Sequence, residues 1–271
     1  MRMSRVAVVT GANKGIGLEI ARELGKTEGV LCILACRNPE LGQTAAQNLK
    51  AEGCNVAFHQ LDVSDKTSIN AFADTVKKEY GQIEILVNNA GFAFKGSDPT
   101  PQEKQARPTF DINFFGLVDT TEALVPLIKE GGRIANLASF LGRLGHFNQE
   151  CQTKLQSESL TKEELTSLIK EMVDDIENGK QAEKGWPTSC YGSSKTAVIA
   201  YTKIMARELQ SKKILVNAGC PGFCSTDMTA HKGPRPPAEG AKTPIKLALL
   251  PEGSPTGQFW SDCEVTAWTS L

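Results

Sequence analysis

The sequence carries almost no net charge and no long apolar run, and these two features limit the classes of protein that it can encode. Its 30 Lys and Arg residues nearly balance 31 Asp and Glu residues. A nucleic acid or an anionic membrane surface would call for a basic excess, so we expect neither as a partner. No uncharged run approaches the ~20 residues of a membrane span. The first apolar run, residues 6–9, is too short for a secretory signal.

Histidine is scarce, and the cysteines are not spaced for metal binding. The three histidines lie far apart, and the closest cysteine pairs, Cys32/Cys36 and Cys220/Cys224, do not have the CxxC spacing. We therefore predict no metal site. The eight scattered cysteines fit reduced thiols in the cytoplasm, which is the location that we predict.

Apolar, β-rich stretches alternate along the chain with stretches in which apolar residues recur every three or four positions. The second pattern, as at residues 15–24 and 43–51, predicts helices. Apolar strands separated by helices indicate a parallel sheet covered on both faces. We predict an α/β fold: a Rossmann-type doubly wound parallel sheet of about seven strands, with helices on both faces, in a single NAD(P)-binding domain over residues 1–271. The predicted strands lie at residues 6–9, 31–35, 56–60, 85–87, 133–138, 215–218 and 258–260.

Residues 146–186 form a polar segment that interrupts this alternation and contains one well-marked helix. Thr161 is its predicted N-cap, Glu164 the capping-box partner, and Leu160 and Leu165 a hydrophobic staple. Apolar residues then recur on one helix face, so we predict a helical insertion that packs onto the main domain. This apolar stripe comprises Leu165, Leu168, Ile169, Met172, Val173 and Ile176.

Residues 10–17, TGANKGIG, form a glycine-rich turn that follows the first strand and opens the first helix. Glycines allow a tight turn, and they let backbone N–H groups approach a pyrophosphate at the positive end of the helix. Because the turn lies in a βαβ unit, we favour dinucleotide binding over a plain connecting turn. The predicted cofactor contacts here are Gly11, Asn13, Lys14, Gly15, Ile16 and Gly17.

The end of the second strand indicates which dinucleotide is bound. NAD-binding proteins usually place an acidic residue there for the ribose 2′-hydroxyl. This chain has Leu34-Ala-Cys-Arg37 instead. Arg37, helped by Lys14, could pair with a 2′-phosphate, which favours NADP over NAD. The alternative is that both side chains are ordinary surface cations.

The third and fourth predicted strands end in two further candidate cofactor contacts. Asp62 is placed to bind the adenine edge, and we assign Val63 to the same site, although Asp62 could simply cap the following helix. Asn88-Asn-Ala-Gly91 follows the fourth strand, and its small residues would let a cofactor ring lie against the backbone. Asn89, Ala90 and Gly91 are therefore predicted contacts, with a plain turn as the alternative.

Several motifs occur in one order: TGANKGIG, NNAG at 88–91, Ser139 after the fifth strand, YGSSK at 191–195, and Pro221-Gly222. Over nearly its whole length the chain resembles the short-chain dehydrogenase/reductase superfamily. The stretches KEYGQIEILVNNAGFAFK, EKGWPTSCYG and GCPGFCSTDM resemble its NADPH-dependent carbonyl reductase branch. The resemblance implies a cytosolic enzyme that uses NADPH/NADP as its cofactor.

The insertion bears on the oligomeric state. In ordinary members of the superfamily, only a short stretch separates the catalytic serine from the catalytic tyrosine. In this chain the whole of residues 140–190 lies between Ser139 and Tyr191. The resemblance implies that the extra helix covers the face that most relatives use to form dimers and tetramers. We therefore predict a monomer.

The YGSSK motif places Tyr191 and Lys195 four residues apart, so on a helix both point in the same direction. An ammonium near a phenol favours the phenolate, and we expect it, with the charge of an oxidised nicotinamide, to lower the pKa of Tyr191 toward the working pH. Tyr191 could then donate a proton to a carbonyl oxygen while hydride arrives at carbon. The alternative is an aromatic ring packed beside a lysine that reaches out to solvent.

The resemblance implies roles for the other predicted catalytic residues. Lys195 also holds the nicotinamide ribose, so it is predicted as a cofactor contact together with Tyr191. Ser139 hydrogen-bonds the carbonyl oxygen, and Asn113 fixes a water that links Lys195 to bulk solvent. Taken alone, Ser139 could be a loop serine and Asn113 a buried amide bonded to backbone.

The segment after the sixth strand, residues 221–226, is expected to cross the nicotinamide. The predicted contacts are Pro221, Gly222, Cys224, Ser225 and Thr226. The resemblance places Thr226 at the nicotinamide carboxamide. Ser225 departs from the pattern, because similar proteins often have arginine there.

The predicted substrate side is mostly apolar, which indicates a permissive pocket for aldehydes, ketones or quinones. The resemblance implies that the surface near Phe94 and Lys95 could accept glutathione conjugates and that Cys220 lies near the substrate. Several of these apolar residues could instead be core residues. The predicted substrate contacts are Ser139, Phe94, Lys95, Phe140 and Phe223.

We predict NADPH-dependent reduction of small-molecule carbonyl compounds to alcohols, with Tyr191 as general acid. One alternative is a narrow dehydrogenase for a single alcohol such as a steroid or prostaglandin. Another is a nucleotide-sensing protein without catalysis, against which the intact set of Ser139, Tyr191 and Lys195 argues.

Overall fold

A computed structural model describes residues 5–269, which form an eight-stranded sheet flanked by helices. The strand order is β3-β2-β1-β4-β5-β6-β7-β8, and every neighbouring pair is parallel except β7 and β8. The strands are β1 (Arg5–Thr10), β2 (Val30–Cys36), β3 (Val56–Gln60), β4 (Ile83–Asn88), β5 (Ile128–Leu137), β6 (Leu215–Cys220), β7 (Phe259–Ser261) and β8 (Glu264–Val265).

The predicted α/β doubly wound fold is confirmed, and each of the seven predicted strands is found. The prediction missed β8, which has only two residues, both exposed, so no apolar pattern could reveal it. A tight turn at Asp262 and Cys263, with φ of 49° and 65°, joins β8 to β7. Positive φ at two successive turn residues matches the twist of an antiparallel hairpin, which explains why this last pair alone runs antiparallel.

Helices cover both faces of the sheet because side chains alternate along each strand. In β1, Val6 and Val8 face one hydrophobic cluster and Ala7 and Val9 face the other. α1, α2 and α9 pack on the second face, and α3, α4, α5, α7 and α8 contribute to the first. The helices are α1 (Gly15–Lys26), α2 (Pro39–Ala51), α3 (Lys66–Tyr80), α4 (Gln102–Phe110), α5 (Gly116–Leu124), α6 (Gln149–Gln156), α7 (Lys162–Glu177), α8 (Cys190–Glu208) and α9 (Pro237–Ala248).

The strand order reverses direction at β1, which lies between β2 and β4. In an open α/β sheet this reversal leaves a crevice beyond the carboxyl ends of the two central strands, where ligands bind. The segments that follow β1, β4, β5 and β6 all meet at this edge. They carry the glycine-rich turn, the NNAG motif, Ser139 and residues 221–226.

The insertion consists of α6 and α7, and its helix begins as predicted. Thr161 Oγ1 accepts from the Glu164 amide at 3.2 Å, and the Glu164 carboxylate accepts from the Thr161 amide at 3.0 Å. All six residues of the predicted apolar stripe are buried. The Glu122 carboxylate of α5 links the insertion to the main domain. It accepts hydrogen bonds from Lys162 of α7 at 2.8 Å and from the hydroxyl of Tyr201 in α8 at 3.1 Å.

Within residues 5–269, no helix is both long enough and apolar enough to cross a membrane.

Candidate active site

The glycine-rich turn has the backbone shape that a bound pyrophosphate requires. Gly11 and Gly15 adopt positive φ of 65° and 57°. A Cβ at Gly17 would lie 2.4 Å from Asn89 Nδ2 and 2.6 Å from the Gly11 carbonyl, so only glycine fits there. No side chain caps α1 at Lys14, which leaves the N–H groups of its first turn for a ligand. The turn therefore fits the phosphates of a dinucleotide.

Thr10, the last residue of β1, was not among the predicted site residues, yet it joins the two central strands. Its hydroxyl accepts from the amides of Asn89 and Ala90 at 3.0 and 2.9 Å. Asn89 Nδ2 in turn donates to the Thr10 carbonyl at 2.8 Å. The only sequence signal was a polar residue at the end of an apolar strand. These contacts show that Asn89 and Ala90 brace the turn, and their predicted contact with the cofactor stays a prediction.

The two predicted phosphate-binding cations differ in the structure. Arg37 is exposed at the end of β2, and its guanidinium forms no ion pair within residues 5–269. Lys14 Nζ lies 2.6 Å from Asp227 Oδ2, and Asp227 also contacts His231 at 3.0 Å. Lys14 thus pairs with an acidic residue distant in sequence, and its predicted help to Arg37 stays a prediction.

Asp62 and Val63 both make contacts that brace the protein itself. Asp62 Oδ1 accepts from the amide and hydroxyl of Ser64 at 2.9 and 2.6 Å, while Asp65, not Asp62, caps α3. The Val63 carbonyl lies so close to Gly116 that a Cβ there would come within 2.3 Å of it. The adenine contact of these two residues stays a prediction.

Tyr191 and Lys195 lie on the same side of α8, as the spacing predicted. Lys195 Nζ is 5.7 Å from the centroid of the Tyr191 ring, and it donates to the Leu137 carbonyl at the end of β5 at 2.8 Å. Ser139 lies two residues beyond Leu137, and its hydroxyl neighbours the Tyr191 phenol and lowers the pKa of that group. Because Lys195 is only 4% exposed, it does not reach out to solvent, and the alternative of a surface lysine is excluded.

Asn113 lies in a π-helical turn, Asp111–Phe115, between α4 and α5. Its side chain accepts from the Phe92 amide at 2.7 Å and donates to the Phe92 carbonyl at 2.8 Å and to Ser194 Oγ at 3.0 Å. A Cβ at Gly91 would lie 3.4 Å from Asn113 and 3.7 Å from Lys195 Nζ, so the three residues are neighbours. Asn113 is thus a buried amide bonded to backbone, and its predicted link to a water stays a prediction.

Two glycines that the sequence analysis did not single out let the Ser139 loop lie directly on α8. A Cβ at Gly142 would be 2.7 Å from the Lys195 carbonyl carbon, and one at Gly192 would be 2.7 Å from the Leu141 carbonyl oxygen. Such contacts leave no room for a side chain on either residue. Ser139 is therefore positioned against Tyr191 by backbone-to-backbone packing.

The segment after β6 reaches the glycine-rich turn. A Cβ at Gly15 would lie 3.5 Å from the Thr226 methyl group, so these two residues face each other. Gly222 has φ of 78°, and Cys224 is buried with its thiol on the Pro221 carbonyl at 3.3 Å. Ser225 contacts the His231 carbonyl at 3.4 Å. The arrangement brings Thr226 to the predicted cofactor cleft, and the predicted cofactor contacts of Cys224 and Ser225 stay predictions.

The predicted substrate residues are placed unevenly. Phe223 is 57% exposed and Lys95 is exposed, so both are available to a ligand. Phe94 packs edge-on against Phe92, with ring centroids 4.9 Å apart. The Phe140 ring packs against buried Phe259 at 6.1 Å, which matches the alternative of a core residue. None of the four touches Tyr191 in the hydrogen bonds and ring contacts of the described residues.

The described part of the chain contains no group of three His, Cys, Asp or Glu side chains that could hold a metal ion.

The family model for short chain dehydrogenases matches residues 5–163 and 177–236. The chain belongs to the short-chain dehydrogenase family. The match leaves out residues 164–176, which lie in α7. The helix of the insertion is therefore not part of the general family pattern. The predicted family is confirmed.

Two curated relatives of this short-chain dehydrogenase carry names that agree with the predicted branch. Carbonyl reductase (NADPH) 1 of Mus musculus is 47% identical, over 97% of this chain and 98% of its own. Carbonyl reductase (NADPH) 1 of Homo sapiens is 46% identical with the same coverage.

Solved structures of plant reductases share the fold over the whole length. Salutaridine reductase from Papaver somniferum has a TM-score of 0.87 at 32% identity, covering 96% of this chain and 100% of that one. Menthone neomenthol reductase from Mentha piperita has a TM-score of 0.82 at 34% identity, covering 96% and 99%.

Burial dominates the electrostatics of the catalytic group. It raises the pKa of Tyr191 to about 12, an effect that the neighbouring Ser139 hydroxyl only partly offsets. Burial also lowers the pKa of Lys195 to about 8. In the chain without nucleotide, burial therefore outweighs any lowering of the Tyr191 pKa, and the predicted lowering by Lys195 together with an oxidised nicotinamide stays a prediction. Tyr191 holds its proton at neutral pH.

The burial of the Lys195 ammonium leads to a testable prediction about how the free energy of unfolding depends on pH. Its pKa is about 8 when folded and 10.5 when exposed, so between these values the unfolded chain binds more protons and stability rises with pH. Relative to Lys195→Met, we expect the nucleotide-free wild type to gain about 2–3 kcal/mol of unfolding free energy between pH 8 and pH 10. Urea unfolding of both proteins at several pH values measures this, and a constant difference would contradict it.

Proposed function

We propose that this short-chain dehydrogenase reduces carbonyl groups of small molecules to alcohols with NADPH. The observation that carries the proposal is the catalytic group itself: a half-buried, protonated Tyr191 beside the Ser139 hydroxyl, with the Lys195 ammonium 5.7 Å from its ring. The names of the relatives support the same reaction.

The proton moves between groups of this chain and the substrate. NADPH, when bound, supplies the hydride that the carbonyl carbon accepts. Ser139 and Tyr191 orient the carbonyl oxygen, and Tyr191 transfers its hydroxyl proton to that oxygen. The phenolate left behind is stabilised by the nearby Lys195 ammonium and by the Ser139 hydroxyl. We further propose that Asn113 and Lys195 help to return a proton to Tyr191 from solvent.

The predicted cofactor contacts are proposed in the same way. Gly11, Gly15 and Gly17 give the turn its shape, and the uncapped start of α1 provides N–H donors for the phosphates. We propose that Thr226 contacts the nicotinamide half, and its position opposite Gly15 supports this. Arg37, helped by Lys14, is the cation proposed to bind a 2′-phosphate.

The central test is Tyr191→Phe, which removes the proton donor and keeps the ring. We expect turnover to fall by ~10²- to 10⁴-fold, because this is the usual contribution of a general acid, while NADPH affinity changes little. NADPH oxidation is followed by absorbance with quinones, aldehydes, ketones and a glutathione conjugate that carries a carbonyl. Tyr80→Phe, a ring hydroxyl that contacts His59, is the matched control.

The same panel separates the alternatives. Turnover of several unrelated carbonyls supports the reductase, and turnover of one compound alone would favour a narrow dehydrogenase. NADPH binding without turnover of any compound would favour the nucleotide sensor. Normal turnover by Tyr191→Phe would refute the mechanism. We further propose that the surface near Phe94 and exposed Lys95 accepts glutathione conjugates, and reduction of the conjugate would support this.

The exposed guanidinium of Arg37 leads to a prediction about the preference for NADPH over NADH. Its guanidinium is exposed and has no ion-pair partner in residues 5–269, so a 2′-phosphate can bind it without competition. We expect Arg37→Ala to lower the preference for NADPH over NADH by ~10- to 100-fold, the range for a hydrogen bond to a charged group. Lys14→Ala is the control, with a smaller effect because Lys14 already pairs with Asp227. Unchanged preference in Arg37→Ala would contradict the assignment.

We propose a monomer made of a single domain over residues 1–271. The support is that the apolar stripe of α7 is buried against the main body, where α4 and α8 would otherwise expose apolar surface. Sedimentation velocity at micromolar concentration should show one species with the mass of one chain. A stable dimer or tetramer would refute this proposal.

We also propose a cytoplasmic location, supported by eight free cysteines, seven of them buried. Cell fractionation tests this location.

Burial raises the pKa of the Cys220 thiol, so we expect this residue to be inert rather than reactive.

A further inference from the structure

Trp268 connects the end of the described chain to the loop that carries Ser139. Its indole Nε1 donates to the Gly142 carbonyl at 3.0 Å, and its own carbonyl accepts from the Leu144 amide at 3.1 Å. The side chain is 7% exposed. One residue therefore makes two hydrogen bonds to neighbouring positions of the same loop, one through its side chain and one through its backbone.

The loop that Trp268 holds is a single turn whose first residue is Ser139. The Ser139 carbonyl accepts from the Gly142 amide at 2.9 Å, and Ser139 Oγ accepts from the Leu141 amide at 3.2 Å. In a turn this short, the position of the last residue sets the position of the first. Gly142 is thus bonded to Ser139 through its N–H and to Trp268 through its carbonyl.

Gly142 is also the contact point with α8. Its Cα packs against the backbone of Lys195, where an added Cβ would lie 2.7 Å from the carbonyl carbon. The Trp268 ring also lies near this helix, because Lys203 Nζ is 5.9 Å from its centroid. The turn is therefore held between the helix that carries Tyr191 and the indole of Trp268.

We propose that Trp268 is a positioning residue for the reaction, holding Ser139 against Tyr191 through its hydrogen bonds to Gly142 and Leu144. This inference rests on the proposed function. Among the described residues, Trp268 makes no hydrogen bond to Tyr191 or Lys195, so it acts on them through the turn. Loss of its N–H leaves the Gly142 carbonyl without that donor and lets Ser139 shift, and small shifts of a group that orients the substrate are costly to turnover.

The test compares Trp268→Phe with Trp260→Phe. Both variants replace indole by a phenyl ring, but the Trp260 N–H is buried without a hydrogen-bond partner among the described residues, so its removal breaks no such bond. We expect Trp268→Phe to lower kcat by ~10-fold or more with little change in NADPH affinity, and Trp260→Phe to retain kcat. The pH profile of kcat should also move to higher pH in Trp268→Phe alone, because a Ser139 hydroxyl close to Tyr191 lowers the pKa of that phenol.

A double-mutant cycle decides whether Trp268 acts through Ser139. If it does, Trp268→Phe causes no further loss of kcat when added to Ser139→Ala. Independent, multiplying losses would overturn the proposal, as would wild-type kcat and pH profile in Trp268→Phe. Should that variant fold poorly, Trp268 can be replaced by its isosteric analogue with sulfur in place of N–H, to which the same outcomes apply.

Hydrogen exchange provides a readout that does not depend on activity. Peptides that cover residues 139–146 should exchange faster in Trp268→Phe than in the wild type and Trp260→Phe, because the turn opens more often. Unchanged exchange would overturn the proposal. If the proposed carbonyl reduction were wrong, the wild type itself would lack turnover while this difference in exchange persisted, so the two failures are distinguishable.

Discussion

The site depends on the direct contact between the Ser139 turn and the backbone of α8. Gly142 and Gly192 make it possible, because neither position has room for a Cβ. The contact is reinforced where Lys195 Nζ donates to the Leu137 carbonyl at 2.8 Å, which ties the helix to the end of β5. Tyr191 and Ser139 belong to elements far apart in the sequence, and this packing determines the distance between them. If the loop lay farther from the helix, Tyr191 would lose the neighbouring Ser139 hydroxyl. The Lys195 ammonium would lose its hydrogen bond to the Leu137 carbonyl.

The same packing removes water, and this explains the charge state of the group. Desolvation disfavours phenolate and ammonium alike, so it raises the pKa of Tyr191 and lowers that of Lys195. A cation at 5.7 Å from the ring does not reverse this in the chain without nucleotide. The site therefore holds a protonated phenol at neutral pH, which is the form that a proton donor in carbonyl reduction needs. Lys195 contributes most once a negative charge develops on the phenol oxygen, since a buried pair interacts more strongly than an exposed one.

The parts of the structure that sequence predicted are those set by short-range patterns. The strands, the capping box of Thr161 and Glu164, and the shared face of Tyr191 and Lys195 all depend on residues within a few positions of each other. The misses are long-range: Lys14 pairs with Asp227, Thr10 bonds the segment after β4, and Trp268 bonds Gly142. No periodicity connects such pairs, because the sheet order brings them together only after folding. Gly142 and Gly192 belong to the same class, since a glycine reveals a close approach only when its neighbour is known.

The insertion is linked to the site through α8. This helix is buried along almost its entire length, from Cys190 to Ala206, with the sheet on one side and α4 and α7 among its other neighbours. Trp186, shortly before the helix, donates to Asp175 of α7 at 2.9 Å, so the insertion also fixes where α8 begins. In a protein without α7, that surface would be covered by a partner subunit or exposed to water. Because burial shifts the pKa values of Tyr191 and Lys195, the packing of α7 against this helix contributes to the chemistry of the site.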